Sequence, residues 1–173
     1  MRVTVAAALA SAFRRRRLEL GAALLVAVAV EAPAAAAGPF EFHSLTPCRL
    51  IDTRNGSGAS TSDGTGVGPL SNPGPYDVKV KGFCGVPTTA TAVSLNVTVV
   101  NPTQGGDLRL ANLDANPFPG VSTLNYNAGE PALANGAIVP LAAGTGNDVR
   151  MIFGMVAAGT LNVLVDVTGY FAP

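Results

Sequence analysis

Ala92-Val93-Ser94-Leu95-Asn96-Val97-Thr98-Val99 alternates without a break: Val93, Leu95, Val97 and Val99 are apolar, and the residues between them are small or polar. Successive side chains of a strand point to opposite faces, so period two over eight residues reads as a half-buried strand and not a helix. The pattern returns in Leu161, Val163, Val165 and Val167, interleaved with Asn162, Leu164, Asp166 and Thr168. Outward from these two, shorter apolar stretches predict strands over Phe40–Leu45, Cys48–Asp52, Tyr76–Lys81, Asp107–Leu113, Val121–Asn127, Asn135–Leu141 and Asp148–Phe153.

Turn chemistry separates them: Gly85-Val86-Pro87, Asn101-Pro102-Thr103-Gln104-Gly105-Gly106, Asn116-Pro117-Phe118-Pro119-Gly120, Asn127-Ala128-Gly129 and Ala143-Gly144-Thr145-Gly146-Asn147. Glycine supplies positive φ, and proline fixes φ and removes a ladder donor. About nine strands with turns this regular predict an all-β domain, an antiparallel β-sandwich or jelly roll. The core is expected to be aliphatic, because the chain has no tryptophan and only 6% aromatic residues. Residues 55–75 are almost wholly Gly, Ser, Thr, Asn, Asp and Pro, and are expected to form a flexible surface loop.

The first 37 residues read as a signal peptide. The basic cluster Arg14-Arg15-Arg16-Arg17 precedes an apolar run from Leu18 to Val30, and the small residues Ala34-Ala35-Ala36-Ala37 follow. A bilayer span needs about 20 apolar residues, and this run is shorter. The expected product is a single domain, residues 38–173, secreted to the exterior or the cell surface and without a membrane anchor. Removing Arg2, Arg14–Arg17, Glu19 and Glu31 leaves six basic and nine acidic residues, a net charge of −3. A weakly acidic domain without basic clusters is not expected to bind nucleic acid or anionic lipid.

Cys48 and Cys84 are the only cysteines, and in an oxidising compartment they are expected to form a structural disulfide. No catalytic constellation is visible. The single histidine, His43, stands in the first predicted strand, and Gly56-Ser57-Gly58 lacks a full nucleophile elbow. The acids are scattered singly, so no metal or cofactor is expected. Asp114 with Asn116, and Asn147 with Asp148, share turns that offer calcium only weak candidates. Asn55-Gly56-Ser57 and Asn96-Val97-Thr98 fit the glycosylation pattern, and Asn55, in the loop, is the better acceptor. Arg49, Asp52 and Arg54 read as a structural bracket, with Asp52 and Arg54 two apart on one strand face.

The run Pro47-Cys48-Arg49-Leu50-Ile51-Asp52-Thr53-Arg54 resembles the opening of a family of bacterial secreted β-domains with the signature P-x-R-[LV]-x-D-T-R. Gly85-Val86-Pro87, Ala92–Thr98, Ser122–Tyr126 and the ending Val165-Asp166-Val167-Thr168-Gly169-Tyr170-Phe171 follow the same pattern in order. The resemblance implies a non-catalytic accessory module of bacterial surface proteins, with no catalytic residues to carry over.

The leading expectation is a subunit of an extracellular filament or layer, a homo-oligomer or polymer assembling head to tail. Phe40, Phe42 and Leu45 alternate with polar residues and could form an assembly strand donated to a neighbour. The alternative is a monomeric adhesin or carbohydrate-binding module whose partner is a surface glycan.

Overall fold

The computed structural model describes residues 39–58, 68–71, 74–117 and 120–173. The predicted signal peptide lies outside them, as do residues 59–67 and 72–73 of the predicted loop. Nine strands form: β1 (Glu41–Asp52), β2 (Leu70–Ser71), β3 (Tyr76–Val78), β4 (Ala92–Val100), β5 (Gly106–Asn112), β6 (Leu124–Tyr126), β7 (Leu133–Pro140), β8 (Val149–Met155) and β9 (Thr160–Ala172). They build two antiparallel sheets. One runs β1-β9-β4-β7, with β2 also paired to β9, and the other runs β3-β8-β5-β6. The all-β sandwich expected from the alternation is the architecture observed.

Both strongly alternating segments lie at the centre of the first sheet, paired along nearly their whole length from Ala92↔Phe171 to Val100↔Asn162. Val93, Leu95, Val97 and Val99 project into the sandwich and are at most 3% exposed, as are Leu161, Val163, Val165 and Val167. Leu108, Val149, Met151 and Phe153 meet them from the second sheet, giving the aliphatic core that the composition demands. Fully burying each such side chain contributes about 1.5–3 kcal/mol, so these two strands carry much of the stability.

Several predicted strands shift or shorten at their ends, Tyr76–Lys81 to β3 and Val121–Asn127 to β6 among them, and the structure departs further from the sequence reading in three respects. Phe40–Leu45 and Cys48–Asp52 are not two strands but one, β1, with register shifts between Ser44 and Cys48 and between Arg49 and Ile51. Pro47, which cannot donate to a ladder, falls in the first irregularity and gave the impression of a break. The predicted 55–75 loop is anchored at both described ends: Asp52 and Ser57 form a bridge, and Leu70, 3% exposed, pairs with Leu161 as β2. Finally, the Ser94/Leu95 register shift places a bulge in β9 at Thr168. Beyond it the inward set changes from odd to even numbers, so Tyr170 pairs with the inward Val93, and Phe171 turns outward opposite Ala92.

Cys48 and Cys84 are joined as expected, with Cα atoms 5.6 Å apart. The bond ties the irregular part of β1 to the turn Gly82–Val86, where Val86 N–H donates to Phe83 O at 2.9 Å and Gly82 N–H to Val86 O at 2.8 Å.

Candidate functional site

The outer face of the β1-β9-β4-β7 sheet divides into a charged half and an apolar half, because one strand face carries Arg49, Asp52 and Asp166 and its continuation past the bulge carries Phe42 and Phe171. The charged half is the predicted bracket, enlarged by a member that spacing did not reveal. Arg49 stands opposite Asp166 in the β1–β9 register and grips it through Nε and Nη2, while its Nη1 donates to Asp52 Oδ2 at 2.8 Å. Arg54 corrects the expectation of a shared strand face. β1 ends at Asp52, and Arg54 sits in the following turn, from which its guanidinium folds back to Asp52 at 2.9 and 2.7 Å. Two arginines thus cover one carboxylate that is 2% exposed. The Arg54 hydrogen bonds, reinforced by both positive charges, hold the Asp52 carboxyl below its ordinary value against the opposing effect of burial.

This network is internally neutral and saturated, which suits bracing better than ligand binding. Other acids are spent similarly. Asp77 pairs with Arg150 at 2.7 Å across β3 and β8, and Asp107 pairs with Arg109 at 2.5 Å along β5. Asp148 is fully buried. Its Oδ2 accepts from the backbone N–H groups of Val80 and Lys81 at 2.8 and 2.9 Å, and its Oδ1 faces Lys81 Nζ at 3.2 Å.

The weak calcium candidates have other uses. Asp114 Oδ2 accepts from Ala143 N–H, Asp148 is committed as above, and no group of three metal-ligating side chains occurs among the described residues. His43 stacks on Tyr170 with ring centroids 4.8 Å apart, half-buried and with no serine–carboxylate pair arranged around it among the contacts described. Asn55 Oδ1 accepts from both Ser57 N–H and Ser57 Oγ–H in an exposed turn, whereas Asn96 lies in the middle of β4, half-buried.

Of the apolar half, sequence reasoning found Phe40 and Phe42 but missed Ile138, Pro140 and Phe171. Phe40, Thr91, Ala92, Ile138, Pro140 and Phe171 line a shallow groove of about 310 Å³ that crosses the end of the sheet from β1 to β7. Phe40, Phe42 and Ile138 are 43%, 52% and 65% exposed. Phe42 and Phe171 pack together with centroids 5.2 Å apart, and Phe42 covers Gly169. The groove joins residues up to 131 positions apart in the chain, so no local motif marks it. Of the predicted assembly residues, Phe40 and Phe42 belong to this patch, while Leu45 packs against the core beside the Cys84–Gly85 turn. The predicted donor segment is paired at home: Glu41–Ser44 face Gly169–Ala172 of the same chain, so donation would have to break that register.

Comparison with protein-family models, with curated proteins and with solved structures finds no match.

Proposed function

We propose that this protein is a non-catalytic extracellular structural subunit that assembles with copies of itself into a surface filament or layer. The observation that carries the reading is the apolar patch on the outer sheet face, where Phe40 and Ile138 line a groove and Phe42 stands exposed beside it against Phe171. A contiguous apolar patch rimmed by polar residues marks a surface used for association, because covering it removes apolar area from water. Asp52, Asp77, Asp107, Asp148 and Asp166 are each committed to a basic side chain, which favours a rigid building block over a catalyst that uses them for proton transfer.

Export is supported by the cysteine pair, which is fully committed to a disulfide with no free cysteine beside it, and by the signal-like opening of the sequence. The resemblance of Pro47–Arg54 to secreted bacterial surface modules points the same way.

A monomeric adhesin or carbohydrate-binding module is the second reading, favoured by the aromatic cluster Phe40, Phe42 and Phe171. Sugar recognition needs hydrogen-bonding groups around such a cluster, and the groove offers one polar side chain, Thr91. Self-association is therefore the better fit. Negative-stain electron microscopy and size-exclusion chromatography of the purified protein test it. Regular polymers that dissolve in a Phe40→Ser/Phe42→Ser variant support the filament. A monomer at every concentration that binds a glycan array would transfer the function to the adhesin.

A further inference from the structure

The first sheet has two edges, and they are not equivalent. Along β1 lie Pro47, two register shifts, the charged Glu41 and Arg49, and the disulfide to the Gly82–Val86 turn. These are the devices by which an edge is closed to further strands. The other edge, β7, has none of them before its final residue: Leu133-Ala134-Asn135-Gly136-Ala137-Ile138-Val139-Pro140 carries no charge, and neither does any residue from 131 to 147. In the second sheet the edge strands β3 and β6 are only three residues long.

The register shows which β7 groups are free. Leu141 N–H donates to Thr91 O at 2.8 Å, so the 91/141 pair is hydrogen-bonded, and alternation makes 139, 137, 135 and 133 the residues bonded to β4. Ala134, Gly136 and Ile138 therefore turn their N–H and C=O groups away from the sheet. Among the described residues no hydrogen bond reaches them. All three are exposed, and their side-chain positions lie on the outer face that holds the groove.

We infer that β7 is the docking edge for β7 of a second copy, antiparallel, about a two-fold axis at Gly136. The inference rests on the self-assembly reading above and names the contact. Three outward residues spaced evenly about Gly136 are self-complementary: Ala134 meets the partner's Ile138, Gly136 meets its own mate, and each N–H finds a carbonyl. On the outer face the large Ile138 lies against the small Ala134 of the other copy, and no like charges meet. Pro140, the one residue without a donor, falls outside the triplet. The joint sheet covers only the Ile138 side of each groove and leaves the Phe40 and Phe171 side open at opposite ends, so this dimer is the repeating unit and the aromatic side of the groove propagates it.

The test uses the full protein in two variants with opposite readouts. Gly136→Cys adds a thiol at the axis, where paired Cα atoms stand about 5.5 Å apart, within disulfide range. Its new Cβ has only Leu95 O nearby, at 3.9 Å, and no native thiol competes. Under mild oxidation it is expected to run as a covalent dimer. Ala134→Pro removes an outward N–H that the β4 ladder does not use and is expected to raise the dimer Kd about tenfold or more.

If Gly136→Cys fails to cross-link while wild type assembles, or cross-links instead to a Ser44→Cys copy on β1, the two-fold edge is overturned. Assembly lost in Phe40→Ser/Phe42→Ser but intact in Ala134→Pro would overturn the edge and leave the filament reading standing. A wild-type protein that never associates would overturn both.

Discussion

The ring of Phe42 lies directly over Gly169: a Cβ placed on Gly169 would fall 2.5 Å from two ring carbons of Phe42 and 2.7 Å from His43 O. The two residues are diagonal neighbours, two positions out of register, with Phe42 opposite Phe171 and Ser44 opposite Gly169. The aromatic ring thus roofs a bare stretch of backbone and is held against Phe171, which lines the groove. Gly169→Ala is expected to expel the ring and destabilise the fold by about 1–3 kcal/mol, the usual cost of overpacking. Urea denaturation measures the loss, and assembly should weaken with it. An alanine variant as stable and as prone to assemble as wild type would show that the ring position is immaterial.

The disulfide should matter most for β1. Cys48 and Cys84 are 36 residues apart, and closing a loop of that length restricts the unfolded chain by about 3–4 kcal/mol in the chain-entropy model. Cys48→Ser/Cys84→Ser is expected to lower stability by up to that amount. Hydrogen exchange should rise first in Glu41–Ser44, which lies beyond the staple and before the bulge.

Acid should act through Asp52. Its folded-state value is depressed, so its stabilising contribution is present in full above the ordinary aspartate value of about 3.9 and is lost as pH falls through the lower folded value. Asp52→Asn is expected to be less stable than wild type at pH 7, with the gap closing below pH ~4. Stability measured in urea across that range checks the slope. Parallel curves would mean the bracket is not the acid-sensitive element.

Much of the fold was legible because its two longest patterned strands face the core on one side only. Ala92–Val99 and Leu161–Val167 could be read directly, since burial on one face enforces period two. The surface site was legible only at Phe40 and Phe42. Continuing the odd-numbered pattern past Val167 would bury Phe171, but the bulge at Thr168 reverses the faces and sends Phe171 out. A bulge inserts a residue without any composition change, so nothing local announces it. Asp166 was missed as a bracket member for a related reason. Its partner Arg49 is 117 residues away, and only the β1–β9 register joins them.

Tyr126 offers an alkaline counterpart. Burial, and next the nearby charge of Asp107, push its hydroxyl up to about 12. A raised folded value means the contribution is intact below the ordinary tyrosine value near 10 and fades as pH climbs toward the folded one. An absorbance titration of tyrosinate should show a late phase near pH 12 that disappears in Tyr126→Phe.

The largest single loss is expected at Asp148. One residue there fixes the segment Val78–Lys81 at three points: the carboxylate Oδ2 closes the backbone N–H groups of Val80 and Lys81, Oδ1 faces the Lys81 ammonium, and the Asp148 backbone N–H donates to Val78 O at 2.8 Å. Lys81 Nζ in turn donates to Ala142 O and Gly144 O at 2.6 and 2.9 Å, so the loop before β8 is drawn onto the chain leaving β3. Lys81 is 7% exposed and Asp148 not at all. Deleting the acid therefore strands a buried cation and two buried donors together, which costs about 3–5 kcal/mol, whereas an exposed ion pair is worth at most about 1 kcal/mol. Asp148→Ala should approach the upper figure in denaturant. Asp148→Asn, which keeps an oxygen for Val80 and Lys81 N–H but loses the charge, should fall between it and wild type. Equal losses in the two variants would assign the stabilisation to the ion pair alone. A loss in alanine that asparagine fully restores would assign it to the backbone cap.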